Sequence, residues 1–115
     1  MSERRVLFSR QFTHEFKRLQ RRYRHIGDDL RPLLDRLRQG ETPGDQVQEV
    51  GYPAYKVRIS NRDMRSGKSG GYRAIYYLRM ADTIYLVTIY SKRDRDNITV
   101  DEIRRLIKAV EDESS

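Results

Sequence analysis

The chain has 115 residues, enough for one domain built on a single core, and it carries 24 Lys and Arg against 17 Asp and Glu. The formal net charge of +7 favours polyanionic partners such as nucleic acid. The sequence contains no cysteine, which excludes disulfides, thiol catalysis and thiolate zinc sites and is typical of a cytoplasmic protein. No apolar run approaches the ~20 residues that a transmembrane helix needs.

The N-terminal half is predicted to form one strand and two amphipathic helices. The strand is expected over residues 4–9. Apolar residues then recur at spacings of three and four between residues 12 and 26, which indicates one face of a helix that ends at Gly27. A second helix is expected over residues 28–39, with one of the two aspartates at its start as the N-cap.

The periodicity then changes from helical to alternating, which predicts a sheet. A loop over residues 41–51 precedes it, and Ala81-Asp82 forms a hairpin turn between the last two strands. A final helix begins at Thr99, where Thr99 and Glu102 have the spacing of a capping box. The three strands are expected at residues 55–59, 72–79 and 83–90.

This order of elements predicts a single α+β domain over residues 1–115. The N-terminal strand and two helices would pack on one face of a mainly antiparallel, twisted sheet, followed by a C-terminal helix. The other face of the sheet would then be open to a ligand.

Cations converge on one side of the predicted sheet. Lys56 and Arg58 are two residues apart and therefore project from the same face of a strand, Arg73 lies on the next strand, and Lys92-Arg93 close the last one. Few carboxylates occur in this part of the chain. A solvated charged face is the simple alternative, but such a face normally mixes both signs, so the pattern favours a phosphate-binding site.

Other basic residues could contact the backbone of RNA, since they lie in a glycine-bearing loop, at the end of the last strand and on the polar side of the first helix. A merely solvated loop or helix face is the alternative for each group. The loop is not a nucleotide-binding phosphate loop, because a strand rather than a helix follows it. The predicted RNA-binding residues are Arg62, Arg65, Lys68, Lys92, Arg18, Arg21 and Arg22.

Three segments, Ala54–Arg58, Gly67–Tyr77 and Tyr90–Arg93, together resemble the RelE/ParE superfamily of toxins, and most closely its HigB-like branch. The resemblance implies a type II toxin that cleaves messenger RNA in the ribosomal decoding site, without a metal or other cofactor. It also implies a small antitoxin that covers the basic face through an acidic segment or a helix. Whether the complex of the two binds operator DNA is left open.

The resemblance also implies roles for the cations. The 2′-hydroxyl of the message attacks the adjacent phosphate and the 5′-oxygen leaves, which requires a base, a proton donor and cations for the developing charge. Lys56 is the expected base, with a pKa lowered by the like charges of Arg58 and Arg73. Arg73 and Arg93 would hold the phosphate, and Arg58 would bind it where RelE carries a second lysine.

The proton donor is the weakest part of the resemblance. RelE places a functional tyrosine near the start of its last helix, where this sequence has Thr99, which is better suited to capping the helix. Tyr90 is the nearest substitute, although it could equally pack at a strand end. We also expect Arg73 to be exposed, so that Arg73→Glu would abolish toxicity without affecting folding.

Two other functions are compatible with the sequence. A ParE-like toxin that inhibits gyrase would have the same fold and is disfavoured by the cationic set. A non-catalytic RNA-binding module would use exposed aromatic side chains for base stacking, and Tyr77 and Tyr90 are the candidates.

Overall fold

The alternating segments form a five-stranded sheet in a computed structural model that describes residues 3–63, 70–80 and 82–113. The strand order is β1-β5-β4-β3-β2, in which β1 runs parallel to β5 and all other neighbours are antiparallel. This confirms the predicted α+β class. The elements in chain order are β1 (Arg5–Phe8), α1 (Arg10–Gln20), α2 (Ile26–Arg38), β2 (Asp45–Gln46), β3 (Ala54–Ile59), β4 (Tyr72–Met80), β5 (Thr83–Ser91) and α3 (Val100–Glu113).

Helices α1 and α2 pack on one face of the sheet and bury the predicted apolar stripe. The helix expected to run to Gly27 is in fact two pieces, because α1 ends at Gln20 and Gly27 lies inside α2. Tyr23 and Ile26 are nevertheless buried. The short connection turns back on itself, with the amide of Tyr23 donating to the Leu19 carbonyl (2.9 Å), so that the same stripe reaches the core without a continuous helix.

The helix caps differ from the predicted ones. The N-cap of α2 is His25, without a side-chain hydrogen bond, so the predicted aspartate cap is wrong. The carboxylate of Asp29 instead accepts hydrogen bonds from the backbone amide (3.1 Å) and Nε (3.0 Å) of Arg62. At α3, Thr99 Oγ1 accepts from the Glu102 amide (3.1 Å) as predicted. The reciprocal half of that capping box is replaced by a pair between Glu102 and Arg95.

Helix α3 packs on the opposite face of the sheet, where Ile75, Tyr77 and Val87 meet its residues Ile103 and Ile107 in a second core cluster. The expectation of a fully open second face is therefore wrong. The face remains accessible at the end of the sheet that α3 does not cover, where β3 ends, β4 begins and β5 ends. Within the described residues, no helix is long and apolar enough to span a bilayer.

The short edge strand β2 was not predicted, since two residues are too few to show alternation. Its position depends on Gly44, which has φ +95°, and a Cβ atom there would lie 2.4 Å from the Lys56 carbonyl oxygen. The hydroxyl of Tyr76 donates to the carbonyl of Pro43 and so ties this segment to the sheet. As a result, Asp45 lies directly opposite Lys56.

Candidate nucleic-acid interface

An open groove of about 460 Å³ lies at the uncovered end of the sheet, between β2 and the segment that joins β5 to α3. Strand register builds its floor, because Arg58 lies directly opposite Arg73 and Lys56 is on the same side of β3. Four predicted site residues therefore come together in it: Lys56, Arg58, Arg73 and Lys92. Within the described residues, none of these four cations forms an ion pair, so their charge is available to an anionic ligand.

Lys56 is partly buried in the groove, and its Nζ donates a hydrogen bond to Asn97 Oδ1 (2.5 Å). Burial lowers the pKa of Lys56, and the nearby charges of Lys92 and Arg73 lower it further, against an opposing effect of Asp45. The predicted direction of the pKa shift is thus supported by the geometry. The predicted cause was incomplete. Burial makes the largest contribution to the lowered pKa, and the cation that acts together with Arg73 is Lys92, not Arg58.

Arg73 is only 6% exposed, although it lines the groove. Its guanidinium donates to the carbonyls of Gly70 (3.3 Å) and Tyr72 (3.2 Å), while burial and the charge of Arg58 lower its pKa. The expectation that Arg73 is exposed is therefore wrong, and a glutamate there would bury a charge. Gly71 allows this arrangement, because at φ +84° it brings the start of β4 against the end of β3.

Tyr90 and Arg93 are not among the described residues that line the groove. Tyr90 is 4% exposed, and its buried hydroxyl has no hydrogen-bond partner among the described residues. Burial raises the pKa of Tyr90, and the Arg95 guanidinium covers its ring at 5.3 Å. A buried hydroxyl does not reach a substrate in the groove, so this geometry does not support Tyr90 as the proton donor. Arg93 is exposed in the turn after β5.

The two aromatic side chains that were predicted to stack with RNA bases in a simple RNA-binding module are not exposed. Tyr77, like Tyr90, is buried, and its hydroxyl donates to Glu111 (2.6 Å). Neither ring offers a face for a base to stack on.

Of the predicted RNA-binding residues outside the groove, three of those that the structure describes are paired with carboxylates. Arg21 is exposed on the connection after α1, whereas Arg65 and Lys68 fall outside the described residues. The remaining three are paired with acidic side chains, which leaves them less free than the groove cations to bind phosphate. These pairs are Arg18 with Glu15 (2.7 Å), Arg22 with Asp94 (3.0 Å) and Arg62 with Asp29 (3.0 Å).

Sequence reasoning missed the polar residues that surround the groove cations. Asp45 was assigned to a loop, and Asn97 lies in a turn where no periodicity applies. Their meeting with Lys56 depends on contacts between segments 11 and 41 residues apart along the chain. The one available signal was that Asn97 stands two residues before the helix-capping Thr99, which places it at the junction of sheet and helix. Within the described residues, no group of His, Asp and Glu is arranged to hold a metal ion.

The fold and groove define a small α+β protein with a cationic site at one end of its sheet. The model of the family described as the RelE toxin of the RelE/RelB toxin–antitoxin system matches residues 8–113, and the chain belongs to this family. It is therefore a toxin of a toxin–antitoxin system, with an antitoxin as its partner.

The structure of E. coli toxin RelE in the free state, determined for a double arginine-to-alanine mutant, is similar in fold. The two chains superpose with a TM-score of 0.56 at 15% sequence identity, covering 91% of this chain and 98% of that one. At this identity the similarity concerns the fold alone. No curated protein matches the sequence significantly.

Proposed function

We propose that this toxin is a ribosome-dependent, metal-independent endoribonuclease that cleaves messenger RNA in the decoding site and so inhibits translation. The observation that carries the proposal is the convergence of Lys56, Arg58, Arg73 and Lys92 in one groove, where none of them forms an ion pair with a carboxylate of the described residues. RNA cleavage by an internal hydroxyl needs only proton transfer and stabilisation of negative charge, and these four side chains supply both.

Lys56 is the proposed general base. Partial burial and two neighbouring cations lower its pKa, which increases the fraction of neutral amine near pH 7. The amine removes the proton of the 2′-hydroxyl, whose oxygen attacks the adjacent phosphorus. The bond from phosphorus to the 5′-oxygen breaks, leaving a 2′,3′-cyclic phosphate and a 5′-hydroxyl.

Arg58 and Arg73 are proposed to bind the phosphate as its negative charge increases. They lie opposite each other on β3 and β4, so one phosphate can reach both guanidinium groups. Lys92 is the remaining ammonium of the groove and is assigned to protonating the leaving 5′-oxygen. Arg93 and Arg21, exposed outside the groove, would contact the backbone of the message or of ribosomal RNA.

The antitoxin is proposed to neutralise the toxin by covering this groove with an acidic segment. A carboxylate-bearing segment would relieve the repulsion between Arg58 and Arg73 and exclude the message at the same time.

The experiment that tests the proposal compares Lys56→Arg with wild type on messenger RNA bound to ribosomes. Arginine keeps the positive charge but cannot act as a base, so cleavage should fall at least ~100-fold. Lys108→Arg, an exposed lysine on α3, is the matched control and should cleave at the wild-type rate. Product ends are mapped chemically. A 5′-phosphate instead of a 5′-hydroxyl, or full activity of Lys56→Arg, would contradict the mechanism.

The cellular target is tested by pulse-labelling after induction in a bacterial host. Methionine incorporation should fall promptly while thymidine incorporation continues. A fall led by thymidine would indicate gyrase as the target, and no change in either would indicate a protein that binds without cleaving.

A further inference from the structure

The turn between β5 and α3 holds both lysines of the groove, a feature that the cleavage chemistry above does not use. Asn97 Oδ1 accepts a hydrogen bond from Lys56 Nζ (2.5 Å), and the Asp96 carbonyl accepts one from Lys92 Nζ (2.6 Å). Both acceptors are uncharged, since one is a side-chain amide and the other a peptide carbonyl. The turn therefore orients two ammonium groups without neutralising either of them.

The turn is itself braced, so that Asn97 is presented from a defined position. Arg95 Nε donates to the Asn97 carbonyl (3.0 Å), and the same guanidinium forms two hydrogen bonds with Glu102 (2.8 and 3.1 Å) at the start of α3. It also lies over the ring of Tyr90 on β5. Helix and sheet thus hold the backbone beside the groove while the Asn97 side chain reaches Lys56.

We propose that Asn97 is a positioning residue that fixes the Lys56 amine in the groove through an uncharged acceptor and so leaves its lone pair free for the substrate. This inference rests on the proposed role of Lys56 as base. A neutral amine has two N–H groups and one lone pair, so a hydrogen bond to an amide oxygen orients the amine and still leaves the lone pair available. A carboxylate at the same place would instead stabilise the charged ammonium.

Because most charged groups around Lys56 are cations, a change of charge at residue 97 would alter the protonation of the Lys56 amine. Most of the charged groups that face Lys56 favour its neutral form, and the only carboxylate among them within the described residues is on β2. Helix α3 presents the apolar side chains of Val100 and Ile103 to the groove. The charged groups are Asp45 on β2, Arg58 on β3, Arg73 on β4 and Lys92 after β5.

The test is the isosteric variant Asn97→Asp, studied in the full-length toxin by NMR titration of the lysine side chains. A carboxylate 2.5 Å from Nζ in the present geometry should shift the Lys56 titration midpoint upward, and the midpoint of the pH–rate profile for cleavage should move upward with it. Because each unit of upward shift reduces the neutral amine tenfold, cleavage at pH 7 should fall at least ~10-fold. Gln20→Glu, an exposed amide on α1, makes the same charge change away from the groove and should leave both midpoints unchanged.

A second variant, Asn97→Ala, removes the acceptor without adding charge. The Lys56 side chain should then show the mobility of the exposed Lys17 and Lys108 in NMR relaxation, whereas in the wild type its hydrogen bond to Asn97 should make it more ordered. Unchanged Lys56 mobility in Asn97→Ala, or an unchanged Lys56 midpoint in Asn97→Asp, would overturn the proposal. An equal shift in Gln20→Glu would overturn it too, since the effect would then be one of net charge.

The outcomes separate this inference from the proposed function. The NMR titration and relaxation do not require catalysis, so a wild-type protein that never cleaves RNA would refute the ribonuclease while leaving the measured Lys56 response intact. Conversely, cleavage that depends on Lys56 but is insensitive to Asn97→Asp at every pH would retain the ribonuclease and refute the role of Asn97.

Discussion

The sheet face under α1 and α2 and the groove on the opposite face differ in what their side chains contact. Under α1 and α2, buried side chains such as Leu19, Leu37 and Tyr76 meet apolar neighbours, and burial of that surface stabilises the fold. In the groove, Arg58 and Arg73 lie opposite each other on neighbouring strands, and neither is paired with a carboxylate among the residues that the structure describes. Like charges directly opposite each other on a sheet are destabilising. The apolar burial under α1 and α2 therefore stabilises the fold that holds the groove. The repulsion between the groove cations would be relieved by an anionic ligand.

The largest expected effect comes from the supporting face. Leu19→Ala removes a fully buried side chain on α1 and should lower the free energy of unfolding by about 3 kcal/mol, through lost burial and the cavity left behind. Denaturant unfolding measures the loss. Cleavage per folded molecule should stay at the wild-type level, and a proportionate loss of specific activity would show that the two regions are coupled.

An intermediate effect, with opposite signs for stability and activity, is expected in the groove. Arg58→Gln removes one of two facing guanidinium groups, so cleavage should fall on the order of 100-fold. The free energy of unfolding should rise by roughly 0.2–0.5 kcal/mol, because a repulsion is relieved. Lys108→Gln, the same kind of charge removal on α3, should change neither quantity. A destabilised Arg58→Gln variant would mean that the groove cations support the fold.

The smallest effect is expected at Tyr90, which is buried in the core cluster under α3 and lies opposite Arg73 on the neighbouring strand. Tyr90→Phe removes a buried hydroxyl that has no hydrogen-bond partner among the described residues, so the free energy of unfolding should be unchanged or slightly higher. Cleavage should stay within about twofold of wild type. A large loss of cleavage with normal stability would restore Tyr90 as the proton donor.

Much of the fold could be predicted because its signals are local. Apolar spacing identified all three helices, and alternation identified β3, β4 and β5, since each pattern reflects the burial of one face. The predictions were wrong where a local sequence pattern is compatible with more than one structure. The apolar stripe from Phe12 to Ile26 is buried by α1, the connection after it and the start of α2, not by one helix. Asp29 and Glu102 bind arginine residues from other segments instead of capping the start of their own helices.

The sequence by itself determined the α+β class, the cationic character of one sheet face and the candidates Lys56, Arg58 and Arg73, because residues two apart on a strand necessarily share a face. Only the tertiary structure decided which of these side chains are exposed and what they contact. Arg73 is buried and donates to the carbonyls of Gly70 and Tyr72, and Lys56 binds Asn97 from 41 residues away. Burial and the proximity of other charges depend on the packing of distant segments, and these two properties lower the pKa of Lys56.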